Sequence, residues 1–248
     1  MTDDVIIAFE DVWMAFGDHS VYEGMSLSIR RGETITIIGG SGTGKSVGLK
    51  LLMGLLKPDR GRVLVEGRDV APLGERELIP VRRKIGMLFQ GAALFDSLTV
   101  RENVAYPLRE HLHLPEDEID ARVARTLDLV GLPGVEEMMP ADLSGGMRKR
   151  VGLARAIAIE PAVILYDEPT TGLDPANTKR INELIRDMQK KLQVTSVVVT
   201  HDMGSAMHVS DRIAMLYEKR IRSVMTVDEV RASEDSLIRD FIEGKVER

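Results

Sequence analysis

Eight consecutive residues, Gly39-Gly40-Ser41-Gly42-Thr43-Gly44-Lys45-Ser46, fill the pattern G-x-x-x-x-G-K-[ST] in full. The chemistry that this spacing suits is the cradling of a polyphosphate. Glycines let successive backbone N–H groups turn inward on phosphate oxygens, and Lys45 adds a point charge for the β- and γ-phosphates. The Ser46 hydroxyl can complete a Mg²⁺ shell that is otherwise mostly water and phosphate oxygen. The β-rich apolar run from Glu33 to Ile38 precedes the loop, and Val47 to Met53 reads as a helix after it. That strand, loop and helix order separates a phosphate loop from a flexible Gly/Ser linker, and it places unpaired helix N–H groups beside the anion.

A second group of polar residues closes apolar runs. Ala162-Val163-Ile164-Leu165-Tyr166 reads as a strand buried on both faces, and it ends in Asp167-Glu168. Two carboxylates at such an end are costly unless a cation or hydrogen bonds receive them. With a phosphate loop in the same sheet, Mg²⁺·ATP is the economical receiver: Asp167 binds the ion directly or through water, and Glu168 polarises the attacking water. The alternative is that the pair only caps the turn before Pro169. His201 follows the run Val194 to Thr200 and is either a satisfied core histidine or a contact to the γ-phosphate. Gln90, after Lys84 to Phe89, stands in the same relation to its strand. Leu143-Ser144-Gly145-Gly146-Met147 opens a helix with Ser144 as N-cap. Phe16 is open to two readings, core residue or adenine platform.

The elements that carry these residues follow from periodicity. Val5 to Glu10 reads as a strand that leads into Val12 to Asp18, and Met25 to Ile29 alternates with period two. Lys57-Pro58-Asp59-Arg60-Gly61 is a break before Arg62 to Gly67, a short strand suited to an antiparallel sheet. From Gly91 to Pro115 the apolar residues Leu94, Phe95, Leu98, Val100, Val104, Tyr106 and Leu108 follow no single period, which predicts a packed irregular region or a partner-facing surface rather than a long helix. Glu116 to Val130 is a helix with Ile119, Val123 and Leu127 four apart and Gly131 as its C-cap. Asp174 and Pro175 are the N-cap and first residue of another, with Ile181, Ile185 and Met188 inward. The capping box Thr226-Val227-Asp228-Glu229 opens a tail ending in Leu237, Ile238, Phe241 and Ile242. Strands alternating with helices predict an α/β fold whose mostly parallel core sheet is covered on both faces, with ligands at the C-terminal strand ends.

Composition narrows the classes. A chain of 248 residues can bury a core without staples. It has no cysteine, so disulfides and thiolate metal sites are excluded and a reducing compartment fits. Met1-Thr2-Asp3-Asp4 is acidic, so no secretory signal is expected, and no apolar run approaches the length of a membrane span. A net charge of −6 argues against a nucleic-acid partner.

Taken in order, the motifs resemble those of the ATP-binding cassette (ABC) transporter ATPases, and the resemblance covers essentially the whole chain. Gly39 to Ser46 is similar to the Walker A loop, Gln90 to the Q-loop, and Leu143-Ser144-Gly145-Gly146 to the signature. Val163 to Asp167, followed by Glu168, resembles Walker B; Gly172-Leu173-Asp174 is similar to the D-loop, His201 to the H-loop, and Phe16 to the aromatic A-loop position. The resemblance implies the P-loop NTPase ABC ATPase fold, with an N-terminal antiparallel β-subdomain and a helical subdomain. Its single nucleotide-binding domain would place the core at about 1-90 and 161-215, the helical subdomain at about 91-160 and a helical tail at about 226-248. It implies ATP and Mg²⁺ as ligands, with Ser46, Gln90 and Asp167 around the metal and Lys45, Glu168 and His201 in catalysis. Phe16, Gly39, Gly40, Ser41, Gly42, Thr43, Gly44, Lys45, Ser46, Gln90, Ser144, Gly145, Gly146 and Asp174 would contact nucleotide. If the phosphate loop and the signature lie on opposite edges, one triphosphate meets both only in a head-to-tail homodimer holding two nucleotides. A separate membrane permease is the implied partner.

Three stretches, Met87 to Phe95, Ala105 to His111 and Leu143 to Met147, are closer still to the ATPases of Mla-type phospholipid transport systems. That likeness implies an MCE lipid-binding protein, a small regulatory subunit and a place at the cytoplasmic face of a bacterial inner membrane. The family's usual signature glutamine is Met147 here, and Glu218-Lys219-Arg220-Ile221-Arg222-Ser223 lacks the glycine usual in its hairpin. Rival readings are a cassette for another cargo, such as an amino acid or drug, and a soluble ABC protein of translation or DNA repair. The latter joins two cassettes or inserts a long coiled coil, for which this chain has no room. A nucleotide-binding regulator without turnover is disfavoured by the presence of both Glu168 and His201.

Overall fold

Alternation in the first thirty residues builds a ribbon. In a computed structural model, which describes residues 4–243 and 245, β1 (Val5–Phe16) and β2 (His19–Arg30) pair antiparallel. Met25, Leu27 and Ile29 are buried, while Ser26, Ser28 and Arg30 face solvent. The acidic start Met1-Thr2-Asp3 and tail positions 244 and 246–248 lie outside the described residues.

β3 (Thr34–Ile38) is buried throughout and leads through the glycine-rich loop into α1 (Lys45–Leu52). Gly44, the N-cap of α1, has φ 100°, and a Cβ there would lie 2.3 Å from Val21 Cγ1, so only glycine fits this corner. β4 (Arg60–Val65) and β5 (Arg68–Asp69) complete a four-stranded sheet in the order β2-β1-β4-β5. After α2 (Glu75–Arg82) comes β6 (Ile85–Leu88), the edge strand of the second sheet.

The segment after Gln90 departs from expectation. α3 (Val100–His111) occupies the stretch that lacked a clean period. The Thr99 hydroxyl accepts from Glu102 N–H at 3.2 Å, and the Glu102 carboxylate accepts from Thr99 N–H at 2.8 Å, a capping box that starts the helix. Val100, Val104 and Leu108 then fall four apart on its buried face. Leu94, Phe95 and Leu98 precede the cap and Tyr106 faces outward, which blurred the pattern.

α4 (Glu116–Leu129) and α5 (Gly145–Ile157) pack with α3 around a core that includes Val104, Leu108, Val123, Leu127, Val151 and Leu153. The Ser144 hydroxyl caps α5 by accepting from Met147 N–H at 3.3 Å. β7 (Val163–Asp167), α6 (Pro175–Leu192) and β8 (Thr195–Thr200) follow, with Asp174 as the N-cap of α6. α7 (Met203–Val209), β9 (Arg212–Tyr217) and β10 (Arg220–Thr226) precede the tail helices α8 (Val227–Ala232) and α9 (Ser236–Ile242).

The second sheet runs β10-β9-β3-β8-β7-β6, parallel except at β10. One face packs with α1 and the antiparallel sheet, and the other with α3 to α6. Ile238 joins Met203, Ala206 and Ile213 in a third cluster that seats the tail on α7 and β9. The hairpin between β9 and β10 turns without glycine, because Glu218 and Lys219 both adopt left-handed φ values, 45° and 66°. Glu23 N–H donates to the Lys219 carbonyl at 3.1 Å, holding the turn against β2.

Candidate functional site

The parallel register fixes which residues share an edge. Ile38 pairs with Thr200, Tyr166 with Val198, and Leu88 with Tyr166, so the residues at and just beyond the ends of these strands emerge together. They are the glycine-rich loop, His201, Asp167-Glu168 and Gln90.

Within the loop, Lys45 is 8 % exposed, and its ammonium donates to the carbonyls of Gly39 and Gly40, each at 2.9 Å. Burial pulls the Lys45 ammonium below the usual lysine range, while Glu168 and Asp167 pull it back up. The amine is therefore folded onto its own loop and can exchange those carbonyls for phosphate oxygens. Tyr22, reaching up from β2, donates to the Gly44 carbonyl at 2.6 Å, and burial holds its phenol well above the ordinary range.

The Ser46 hydroxyl donates to Asp167 Oδ1 at 2.7 Å, which ties the first turn of α1 to the end of β7. No cluster of three or more His, Cys, Asp or Glu side chains suited to a metal exists among the described residues. Ser46 and Asp167 therefore fit an ion that takes two protein oxygens and draws the rest of its shell from phosphate and water, as Mg²⁺ does.

Glu168 is buried at 9 % exposure with φ 46°, an uncommon conformation for a side-chain-bearing residue. Its main-chain carbonyl accepts from Thr171 N–H at 3.3 Å, so the backbone does close the turn after β7. The carboxylate is engaged elsewhere. Oε2 accepts from the hydroxyls of Thr171 and Thr200, each at 3.1 Å, and Oε1 lies 3.0 Å from His201 Nδ1. The His201 side chain is 61 % exposed, which removes the core reading and leaves the imidazole facing the open edge. This pairing sets a carboxylate and an imidazole side by side at the same strand edge as the glycine-rich loop.

The other expected residues spread over two surfaces. Gln90 is exposed two residues beyond β6, on the same edge. Phe16, at the end of β1, is 48 % exposed and so is not core. Ser144, Gly145 and Gly146 belong to the start of α5, and among the described residues no hydrogen bond joins them to the glycine-rich loop. A Cβ on Gly146 would lie 2.2 Å from Asn177 Oδ1, so the signature backbone is pressed against α6. The Asp174 carboxylate accepts from Asn177 Nδ2 at 2.5 Å and caps α6 through the N–H groups of Ala176 and Asn177, each at 3.0 Å. Those Asn177 bonds, side chain first, hold it below the usual carboxylate range.

Sequence reasoning missed Tyr22, Asn103, Lys149, Thr171 and Thr200. Asn103 and Lys149 carried a signal, since each is a polar residue on an otherwise apolar helix face: Asn103 beside Val100 and Val104, Lys149 four residues before Leu153. Among the described residues, no helix is long and apolar enough to cross a membrane.

Comparison with known proteins adds independent findings. Residues 22–171 match the family described as ABC transporter. The chain is 41 % identical over 241 residues to a protein of Mycobacterium leprae described as a ribonucleotide transport ATP-binding protein, mkl, covering 97 % of this chain and 70 % of that one. It is 39 % identical over 240 residues to the intermembrane phospholipid transport system ATP-binding protein MlaF of Haemophilus influenzae, covering 97 % of this chain and 91 % of the relative. Among solved structures, the dimeric ATP-binding cassette MJ0796 in a post-hydrolysis state bound to ADP and Pi superposes with a TM-score of 0.81 at 32 % identity, over 89 % of this chain and 98 % of that one.

Proposed function

This chain belongs to the ABC transporter family of ATPases, and on that premise we propose that it hydrolyses ATP to drive phospholipid movement through a separate membrane permease. The observation that carries the reading is the meeting at one strand edge of Ser46 with Asp167 at 2.7 Å and Glu168 with His201 at 3.0 Å, beside the phosphate loop.

In this reading the loop N–H groups and Lys45 bind and orient the β- and γ-phosphates, and Phe16 takes the adenine. Glu168 accepts the proton of the water that attacks the γ-phosphorus, while His201 orients that water and the phosphate against it. Mg²⁺, when bound, neutralises charge developing on the β- and γ-phosphate oxygens; Ser46 and Asp167 would hold it, with Gln90 alongside. Ser144, Gly145, Gly146 and Asp174 serve the nucleotide of a second copy, giving a head-to-tail homodimer with two sandwiched ATP molecules.

Coupling is assigned to the segment after Gln90. Phe95 and Tyr106 are 42 % and 45 % exposed, their rings meet tilted at 47° with centroids 4.8 Å apart, and the Arg155 guanidinium lies 5.9 Å from the Phe95 ring centre. Such an apolar, half-open platform suits a cytoplasmic helix of the permease. The near full-length likeness to MlaF favours phospholipid as cargo, with an MCE protein and a small regulatory subunit as further partners at the cytoplasmic face of a bacterial inner membrane. The likeness to mkl keeps ribonucleotide transport as a second reading. Purifying the chain with its membrane partners and identifying the co-purified small molecules separates the two: bound phospholipid supports the first reading, and nucleotide cargo without lipid overturns it.

A further inference from the structure

Lys149 has no part in the phosphate-binding edge described above, yet its side chain is buried at 5 % exposure. It lies on α5, five residues beyond Ser144 and about 7 Å along the helix axis from it. Its ammonium donates to the main-chain carbonyl of Glu168 at 3.1 Å. Taking an ammonium out of water is costly, and burial pulls Lys149 below the usual lysine range. The opposing charges are the carboxylates of Asp167 and Glu168, the same pair that faces Lys45.

The backbone that Lys149 grips is itself constrained. Glu168 sits at φ 46°, its N–H donates to the Val199 carbonyl at 2.9 Å, and its carboxylate is fastened by Thr171, Thr200 and His201. β8 therefore holds one side of the residue and α5 the other. The start of α5 is the Ser144 to Gly146 surface that, in the dimer, would meet the partner's nucleotide.

We propose that Lys149 is a positioning residue that fixes the peptide of Glu168, so that the seat of α5, and with it the nucleotide at the signature end, sets the orientation of the base. The inference rests on the ABC ATPase reading of Glu168. Because Lys149 acts through Glu168 and touches no phosphate, its loss changes turnover and spares nucleotide binding.

The test is a double-variant cycle on the full chain in its purified assembly, with Mg·ATP, reading kcat and KM separately. Lys149→Met, of similar length but without charge or donors, is expected to lower kcat roughly 10- to 100-fold while KM stays within about twofold. Lys149→Arg, which keeps charge and donors, recovers part of that loss. In a Glu168→Gln background, Lys149→Met adds nothing further, because the group it positions is already gone. The proposal is overturned if kcat is unchanged, if KM rises in place of a fall in kcat, or if the loss is the same size in both backgrounds. Should Lys149→Met fail to fold, Lys149→Arg carries the same cycle, and a loss of equal size in both backgrounds again overturns it. Failure of the underlying reading shows separately, as wild-type turnover by Glu168→Gln alone.

Discussion

Asn103→Leu removes the fastening of the coupling segment while keeping the number and branching of the side-chain heavy atoms. Asn103 is wholly buried; its Oδ1 accepts from Phe95 N–H at 2.8 Å, and its Nδ2 donates to the carbonyls of Phe95 at 3.1 Å and of Leu98 and Thr99 at 3.0 Å each. Two of the four backbone groups keep another partner, since the Phe95 carbonyl also accepts from Leu98 N–H and the Thr99 carbonyl from Asn103 N–H. Phe95 N–H and the Leu98 carbonyl lose theirs. At about 1 kcal/mol for each orphaned group, the lower bound for a partly solvated position, the cost is about 2 kcal/mol. For a chain of this size that corresponds to a melting temperature lower by roughly 4–8 °C. Thermal melts followed by circular dichroism measure it, and co-purification with the permease reads the freed Phe95 platform. The expected result is the lowered melting temperature, weakened permease binding and unchanged ATP affinity. An unchanged melting temperature would refute the hydrogen-bond reasoning, and loss of ATP affinity in parallel with permease binding would refute the separation of coupling from nucleotide binding.

Lys45→Ala is expected to abolish ATP binding in a labelled-nucleotide titration while the fold survives, because the main charge partner of the β- and γ-phosphates is lost; unchanged affinity would sink the loop assignment. Phe95→Asp places a charge on the exposed ring platform and should release the permease from a subunit that still folds and binds ATP. Unfolding of that variant would instead make Phe95 core, and retained permease binding would move the coupling surface elsewhere. Replacing Glu218-Lys219 by Asn-Gly relieves two left-handed side-chain-bearing residues and should raise the urea midpoint of unfolding despite loss of the exposed Lys219–Glu23 ion pair. A drop in stability would show that the ion pair outweighs the strain.

What could be read from sequence was local. The caps at Ser144, Asp174 and Thr226 announced α5, α6 and α8 because each side chain bonds N–H groups two or three residues on. Apolar runs ending in polar residues announced the edge that gathers Lys45, Asp167, Glu168 and His201. α3 stayed hidden because apolar residues of the preceding loop ran into its own period, although its Thr99/Glu102 box was present in the chain. The glycine-free turn at Glu218-Lys219 closes through Glu23, nearly two hundred residues away in sequence. Lys149 stood out as a polar residue on an apolar helix face, but its place in the site stayed hidden for the same reason: its partner is a main-chain carbonyl on another element, and carbonyl directions depend on the strand order.

Glu168 is the residue proposed to activate water within this transporter ATPase. The most direct measurement is ATP turnover together with phospholipid transfer by the chain assembled with its permease in vesicles, for wild type and Glu168→Gln. Glu168→Gln is expected to bind Mg·ATP and accumulate as a nucleotide-held dimer, with turnover slower by roughly 10²-fold or more and phospholipid transfer lost in step. Wild-type turnover by Glu168→Gln would contradict the assignment of the base, and phospholipid transfer that continued without ATP turnover would contradict the coupling of this chain to transport.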